Sequence, residues 1–265
     1  MKAIVCVKQV PDTQGKVAVK ADGTMDRAAM ATITNPDDLN AVEAALQLKD
    51  ETGCEVVVVT MGPPPAEGML RELIARGADR AVLVSGREFG GSDTFATSQI
   101  LAAAINKIGV EKDDIVLCGR QAIDGDTAQV GPQIACELGI PQITYARDIK
   151  VEGNKVTVQQ ENEEGYIVTE ANFPVLITAV KDLNEPRFPT IRGTMKAKRR
   201  EIPNLDAAAV AADDAQIGLS GSPTKVRKIF TPPQRSGGLV LKVEDDNEQA
   251  IVDQVMEKLV AQKII

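Results

Sequence analysis

The chain has 265 residues, 43% of them hydrophobic and 26% charged, which is the composition of a water-soluble globular protein with a sizeable core. Its net charge of −8 argues against nucleic-acid binding, which ordinarily uses a basic surplus. Histidine is absent, so Ser-His-Asp and Cys-His catalysis and every His-ligated metal site are excluded.

The first 140 residues alternate strand and helix patterns. Residues 3–8 form a β-rich run, and 11–31 read as a long polar loop. Asn35, Pro36, Asp37 and Asp38 open a helix running to Lys49, their acids suited to its positive N-terminal end. Residues 55–60 contain four consecutive valines and predict a strand buried on both faces. Met61-Gly62 and three prolines break the chain before a helix over 66–76. A strand follows at 80–84, then Gly90-Gly91-Ser92-Asp93 leads into a helix ending near 108–109. The strand at 114–118 runs into the loop Gly119-Arg120-Gln121-Ala122-Ile123-Asp124-Gly125-Asp126-Thr127-Ala128-Gln129-Val130-Gly131-Pro132. Asp126, with Gln129 three residues later, has the spacing of a capping box.

Beyond Pro141 the period changes to that of hairpins, at 149–151, 155–158 and 166–169, followed by a buried strand at 175–180. Residues 183–200 read as an irregular, Pro-containing, basic segment, 206–214 as Ala-rich, and 223–238 as extended. A last helix spans 246–263. The expected organisation is an α/β nucleotide-binding domain over 1–200 and a C-terminal arm over 201–265. The arm has too few apolar positions to fold alone, so it is expected to pack on another subunit.

Repeated βαβ units predict a parallel sheet, with ligands beyond the carboxyl ends of its strands. Four loops leave such ends, after residues 8, 60, 84 and 118. The Gly119 loop is the strongest candidate, because glycine lets the backbone approach a ligand and the following helix directs amides at phosphate. Neither GxGxxG nor GxxxxGK[ST] occurs. Cys6, Cys54, Cys118 and Cys136 are scattered without a CxxC, and three sit in strand patterns as expected buried thiols. The opening residues lack the pattern of a secretory leader, and no segment reaches the ~20 apolar residues needed to span a bilayer, so a cytoplasmic, reducing setting without membrane contact is expected.

An ordered set of motifs then carries a family resemblance. It comprises Cys6-Val7-Lys8-Gln9-Val10, Asn35-Pro36, Gly77-Ala78-Asp79-Arg80, the Gly119–Pro132 loop, Leu183-Asn184-Glu185-Pro186-Arg187, Met195-Lys196-Ala197-Lys198 and Pro232-Pro233-Gln234-Arg235. Together these resemble the beta subunit of an electron-transfer flavoprotein, across almost the whole chain. The resemblance implies an adenine nucleotide alpha hydrolase-like α/β fold with an antiparallel hairpin extension, and a heterodimer with an FAD-carrying alpha subunit. Carried over position by position, it marks Cys6, Asn35, Pro36, Asp37, Asp38, Met61 and Gly119 through Val130 as nucleotide-contacting. Amides near Thr127, Ala128 and Gln129 suit the phosphates. Asp124 and Asp126 would repel them, and are expected to cap helices, meet ribose hydroxyls or point outward. Arg120 is either an offset for those acids or an exposed surface arginine.

Members of this family hold either AMP or FAD at this site. AMP-type members typically carry an acid where Gly125 stands, and the Gly90–Thr97 segment resembles the electron-bifurcating group. Ser92, Thr94 and Thr97 are then flavin-contacting candidates, with an ordinary helix cap at Ser92 or Asp93 as the plainer reading. FAD is favoured. The resemblance implies that NADH reduces this FAD and that electrons divide between the alpha-subunit FAD, serving an acyl-CoA dehydrogenase, and ferredoxin or flavodoxin.

Residues 185–200 resemble the family's docking loop for acyl-CoA dehydrogenases, with Ile191 as its aliphatic anchor beside Arg192, Met195 and Lys196. A solvated basic face is the alternative. RNA is disfavoured, since Phe188 is the one aromatic nearby. From other classes, an adenylating enzyme or an adenine-nucleotide sensor competes, because Gly90–Asp93 has some likeness to a pyrophosphate loop.

Overall fold

The computed structural model describes residues 1–12, 31–211, 213, 215–227, 238–243 and 247–265. Most of the long loop expected at 11–31, the Pro232-Pro233-Gln234-Arg235 motif, and positions 214 and 246 lie outside the described residues.

The strand β1 (Lys2–Cys6) is followed by a two-stranded antiparallel ribbon, β2 (Gln9–Pro11) with β3 (Thr32–Thr34). Helix α1 (Pro36–Thr52) carries proline and two acids in its first turn, and Gly53 ends it in the left-handed conformation at φ 75. Next come β4 (Glu55–Met61), α2 (Glu67–Arg76), β5 (Arg80–Val84), α3 (Thr94–Ile108), β6 (Ile115–Gly119) and α4 (Val130–Leu138). The strands β7 (Gln142–Glu152), β8 (Lys155–Asn162), β9 (Gly165–Asn172) and β10 (Val175–Ala179) follow. Then come α5 (Ile191–Arg199), β11 (Asn204–Leu205), and the single turns α6 (Ala207–Val210) and α7 (Gly218–Gly221).

Among the described residues one mixed sheet of nine strands runs β11-β5-β4-β1-β6-β10-β7-β8-β9. Strands from β11 to β7 pair in parallel, and β7-β8-β9 continue antiparallel, so the hairpins extend the nucleotide-type sheet itself. Val56, Val57, Val58 and Val59 are fully buried, as the valine run requires of a strand covered on both faces. One face packs Ala3, Val5, Val56 and Val58 under α1 and α2; the other packs Ile4, Cys6, Val57 and Val59 under α3 and α4. Burial of each large side chain contributes about 1.5–3 kcal/mol before chain entropy is set against it. Cys6, Cys54 and Cys118 are buried thiols, and Cys136 is exposed.

Three expectations are corrected. Asp126 does not cap α4: both Asp126 and Ala128 have φ 52, off the right-handed helical path, and the helix starts only at Val130. Residues 183–200 are not irregular throughout, because α5 forms once the prolines are passed, capped by Thr190, which accepts a hydrogen bond from the Gly193 amide. Finally, the compact unit runs from Met1 to Lys228, past residue 200. Val210 and Ile217 bury against the α3 face, and β11 pairs with β5. The remaining unit, 229–265, contains α8 (Glu248–Ala261), whose Val252, Val255, Met256 and Val260 are exposed. No described helix is long and apolar enough to cross a membrane.

Candidate functional site

The order of elements reverses direction at β1: β4 and β5 build outward on one side and β6 on the other. Such a switch point opens a crevice at the carboxyl ends of the two diverging strands. Here β1 and β6 pair up to Cys6 and Cys118. Beyond that pair the Val7 amide donates to Val59 on β4, and the Arg120 amide to Ala179 on β10. The strands part.

Asp38 fills the gap. Its Oδ2 accepts from the Lys8 amide at 2.8 Å and its Oδ1 from the Gly119 amide at 2.9 Å. Burial pushes its carboxyl up to about 7, while the Lys8 amide, the Asn35 side chain and the Gly119 amide pull it back down. The carboxylate packs so closely that a methyl group on Gly119 would lie 2.6 Å from the Asp37 and Asp38 backbone. Glycine at 119 is thus required by close approach.

Asn35 holds the loop that follows. Its Nδ2 donates to the Gln121 carbonyl at 2.8 Å, its Oδ1 accepts from the Ile123 amide at 3.1 Å, and its own amide donates to the Lys8 carbonyl. Arg120 lies 3.4 Å from Asp37, and this guanidinium together with Lys181 opposes the upward push of burial on the Asp37 carboxyl. Asp124 pairs with the Lys8 ammonium at 2.7 Å, and Asp126 accepts from Gln121 Nε2 at 2.7 Å. Both acids are thereby tied sideways, and neither caps a helix.

Past Asp126 the loop leaves its amides without a partner: among the described residues none accepts a hydrogen bond from the backbone amides of Thr127, Ala128, Gln129, Val130 or Gly131. Ala128 is left-handed and Gln129 right-handed (φ −102, ψ −31), the alternation that curls successive N–H groups into an anion nest. The nest stands at the positive end of α4, whose Gly131 is packed on Cys118, where a methyl group would come within 2.7 Å of Sγ. Gly125 differs from both of these glycines: a methyl group there would meet nothing within 4 Å.

The structure brings Cys6, Asn35–Asp38 and the Gly119–Val130 loop together at this edge. Met61 ends β4, two strands from β6, and its side chain packs toward the α3 face. Thr94 joins the loop by donating to Gln129 Oε1 at 3.0 Å. Ser92 does not reach it: its hydroxyl donates to the Phe89 carbonyl and accepts from the Gly218 amide. Asp93 caps α3 through the Ala96 amide and binds Thr224 through both its amide and its hydroxyl, so the plainer capping reading holds for that residue. Thr97 lies within the first turn of α3, its amide donating to Asp93.

Ile191, Arg192, Met195 and Lys196 form a separate patch on α5, which is packed on α2 by the fit of Gly193 against the Ala75 carbonyl. Ile191 is 86% exposed and Phe188 84%. Lys8, which was not among the expected site residues, stands at the mouth of the crevice paired with Asp124. Lys8 carried a signal, since it stands two residues past the strand at which the sheet changes direction.

The electron transfer flavoprotein domain matches residues 22–210 of the chain. The sequence is 75% identical to an electron transfer flavoprotein subunit beta of Megasphaera elsdenii, covering all of both chains. It is 55% identical to the acryloyl-CoA reductase electron transfer subunit gamma of Anaerotignum propionicum, over 97% of this chain and 99% of that one. It is 49% identical to the caffeyl-CoA reductase-Etf complex subunit CarD of Acetobacterium woodii, over the same shares.

Proposed function

The chain belongs to the electron transfer flavoprotein family, and from that premise we propose that it is the beta subunit of an electron-bifurcating heterodimer holding FAD on the Gly119–Val130 loop. The observation that carries the reading is the run of amides from Thr127 to Val130, without an acceptor among the described residues, at the N-terminus of α4. Thr127, Ala128 and Gln129 would hold the diphosphate, and the open space at Gly125 leaves room for a ligand larger than AMP. When bound, FAD supplies acceptance of a hydride from NADH and release of electrons singly, to the alpha-subunit FAD and to ferredoxin or flavodoxin. This chain's residues bind and orient: Asn35 fixes the loop, and Lys8 offsets the charge of Asp124. Similarity to proteins named for acryloyl-CoA and caffeyl-CoA reductase complexes supports electron delivery to an acyl-CoA dehydrogenase-type partner, with Ile191 and the basic face of α5 as the docking patch.

One observation favours a second reading, a plain electron carrier with structural AMP. Ser92 donates to the Phe89 carbonyl and accepts from the Gly218 amide, which leaves its hydroxyl hydrogen engaged within the chain and weakens the case for a flavin contact there. The two readings separate on composition. The complex with the alpha subunit is purified, its nucleotides are extracted with acid, and flavin and AMP are counted per heterodimer. Two FAD and no AMP are expected; one flavin with one AMP overturns the bifurcating reading.

A further inference from the structure

We propose that Asp38 is a positioning residue that sets the nucleotide loop only while it is a carboxylate, so that nucleotide affinity follows its ionisation. The inference rests on the nucleotide reading above, and holds for either nucleotide. Three observations carry it. The first is location: the crevice between β1 and β6 is where doubly wound sheets offer strand-end amides to a ligand's phosphate. In this chain an internal anion takes those amides, from Lys8 and Gly119. The second is linkage. Gly119 starts the loop, and Asn35, three residues before Asp38 on the same helix start, grips it at Gln121 and Ile123. One short segment therefore fixes both the root of the loop and its middle.

The third is chemistry. A carboxylate accepts an amide hydrogen on each oxygen with full charge assistance, whereas a protonated carboxyl carries a hydrogen on one oxygen and accepts there only weakly. One tie, to Lys8 or to Gly119, then loosens, and the loop loses its root or the crevice its closure. The groups facing Asp38 do not mask this change. Asp37, on the same helix, pushes the carboxyl further up; Cys6 below it on β1 and Cys118 on β6 stay neutral, both thiols raised by burial. Lys8 is engaged with Asp124, and Arg120 and Lys181 act on Asp37. The Asp38 carboxyl, at about 7, is thus poised to change charge near neutral pH.

The test uses the heterodimer stripped of nucleotide. FAD is titrated by flavin fluorescence between pH 6 and 8, a range in which its doubly esterified diphosphate keeps its charge. The apparent Kd should weaken about tenfold from pH 8 to pH 6, following the fraction of carboxylate. Asp38→Asn should bind weakly at every pH with a flat profile. Asn35→Ala should weaken binding and move the pH profile upward, because it removes a side chain that holds the Asp38 carboxyl down; a general loss of fold would not do this. A flat wild-type profile overturns the proposal even if Asp38→Asn cannot be purified, and so does an Asp38→Asn variant with wild-type affinity. If the complex takes AMP and refuses FAD, the cofactor reading fails but the clamp is still judged, by the difference between wild-type and Asp38→Asn AMP titrations. Binding of neither nucleotide sinks both.

Discussion

Thr94, the first residue of α3, donates its hydroxyl to Gln129 Oε1 at 3.0 Å, joining the loop after β5 to the loop after β6. The bond steadies the residue that leads into α4, next to the amides without an acceptor among the described residues. Replacing Thr94 by valine keeps the shape and deletes the bond, which is worth about 0.5–1.5 kcal/mol. FAD affinity of the heterodimer should fall roughly 3- to 10-fold with an unchanged melting temperature, because the pair is exposed. Equal Kd values with a lower melting temperature would make the bond purely structural.

Two loop glycines should answer differently to alanine. At Gly119 the added methyl group collides with the Asp38 carboxylate and the Asp37 backbone, so Gly119→Ala should cost about 1–3 kcal/mol in urea denaturation. At Gly125 the methyl group meets open space, and Gly125→Ala should stay within about 0.5 kcal/mol of wild type. Equal losses at both sites would contradict the packing at Gly119.

Arg187 grips Glu43 in a two-pronged pair, Nε to Oε2 at 2.9 Å and a terminal nitrogen to Oε1 at 2.9 Å, and also reaches Asp50 at 2.8 Å. Glu43 is buried, so Arg187→Ala strands a charge and should lower stability by on the order of 3 kcal/mol. Arg187→Lys keeps the charge without the planar fork and should fall between the two. Denaturant midpoints of the three proteins give the ranking.

Ile191 stands 86% exposed at the start of α5 and supports nothing beneath it. Ile191→Asp should therefore leave the melting curve in place while reducing kcat/KM for electron delivery to the dehydrogenase partner about tenfold or more, as loss of an interface anchor does. An unchanged kcat/KM would remove α5 as the docking patch.

Asp38 also predicts a pH dependence of stability. Its native carboxyl sits at about 7, above the ordinary carboxylate value of 3.8, so between those limits the native state holds a proton that the unfolded chain has released. Its contribution to stability is full below pH ~4 and is lost as pH rises through about 7, by about 4 kcal/mol at most. Chemical denaturation from pH 4 to 8 should show this decline in wild type and not in Asp38→Asn. A parallel decline in both would assign it to other groups.

Much of this architecture is legible in the sequence because it is local. The valine run 56–59 announces a strand covered on both faces, and Pro36 with the two acids after it announces the start of α1, though its end lies at Thr52 rather than Lys49. What escapes is set by partners far along the chain. Asp38 reads as an acid at a helix start, yet its two bonds reach 30 residues back to Lys8 and 81 ahead to Gly119. The late start of α4 depends on left-handed Asp126 and Ala128, which carry no glycine to advertise the turn. The two-residue strand β11 is too short to show a period, so the stretch after residue 200 reads as loose until β5 is seen beside it. Arg187 and Glu43 find each other across 144 positions.

Asp124, Gly125, Asp126 and Thr127 all stand exposed at the crest of the loop. A ligand resting there presses one flank against this chain and leaves the other to whatever closes over it, whereas a self-sufficient pocket wraps 70–90% or more of its guest. Dwell time then becomes a joint property. The rate at which the nucleotide departs should report the separation of the subunits, and a beta subunit that outlives its partner would shed its nucleotide before it unfolds.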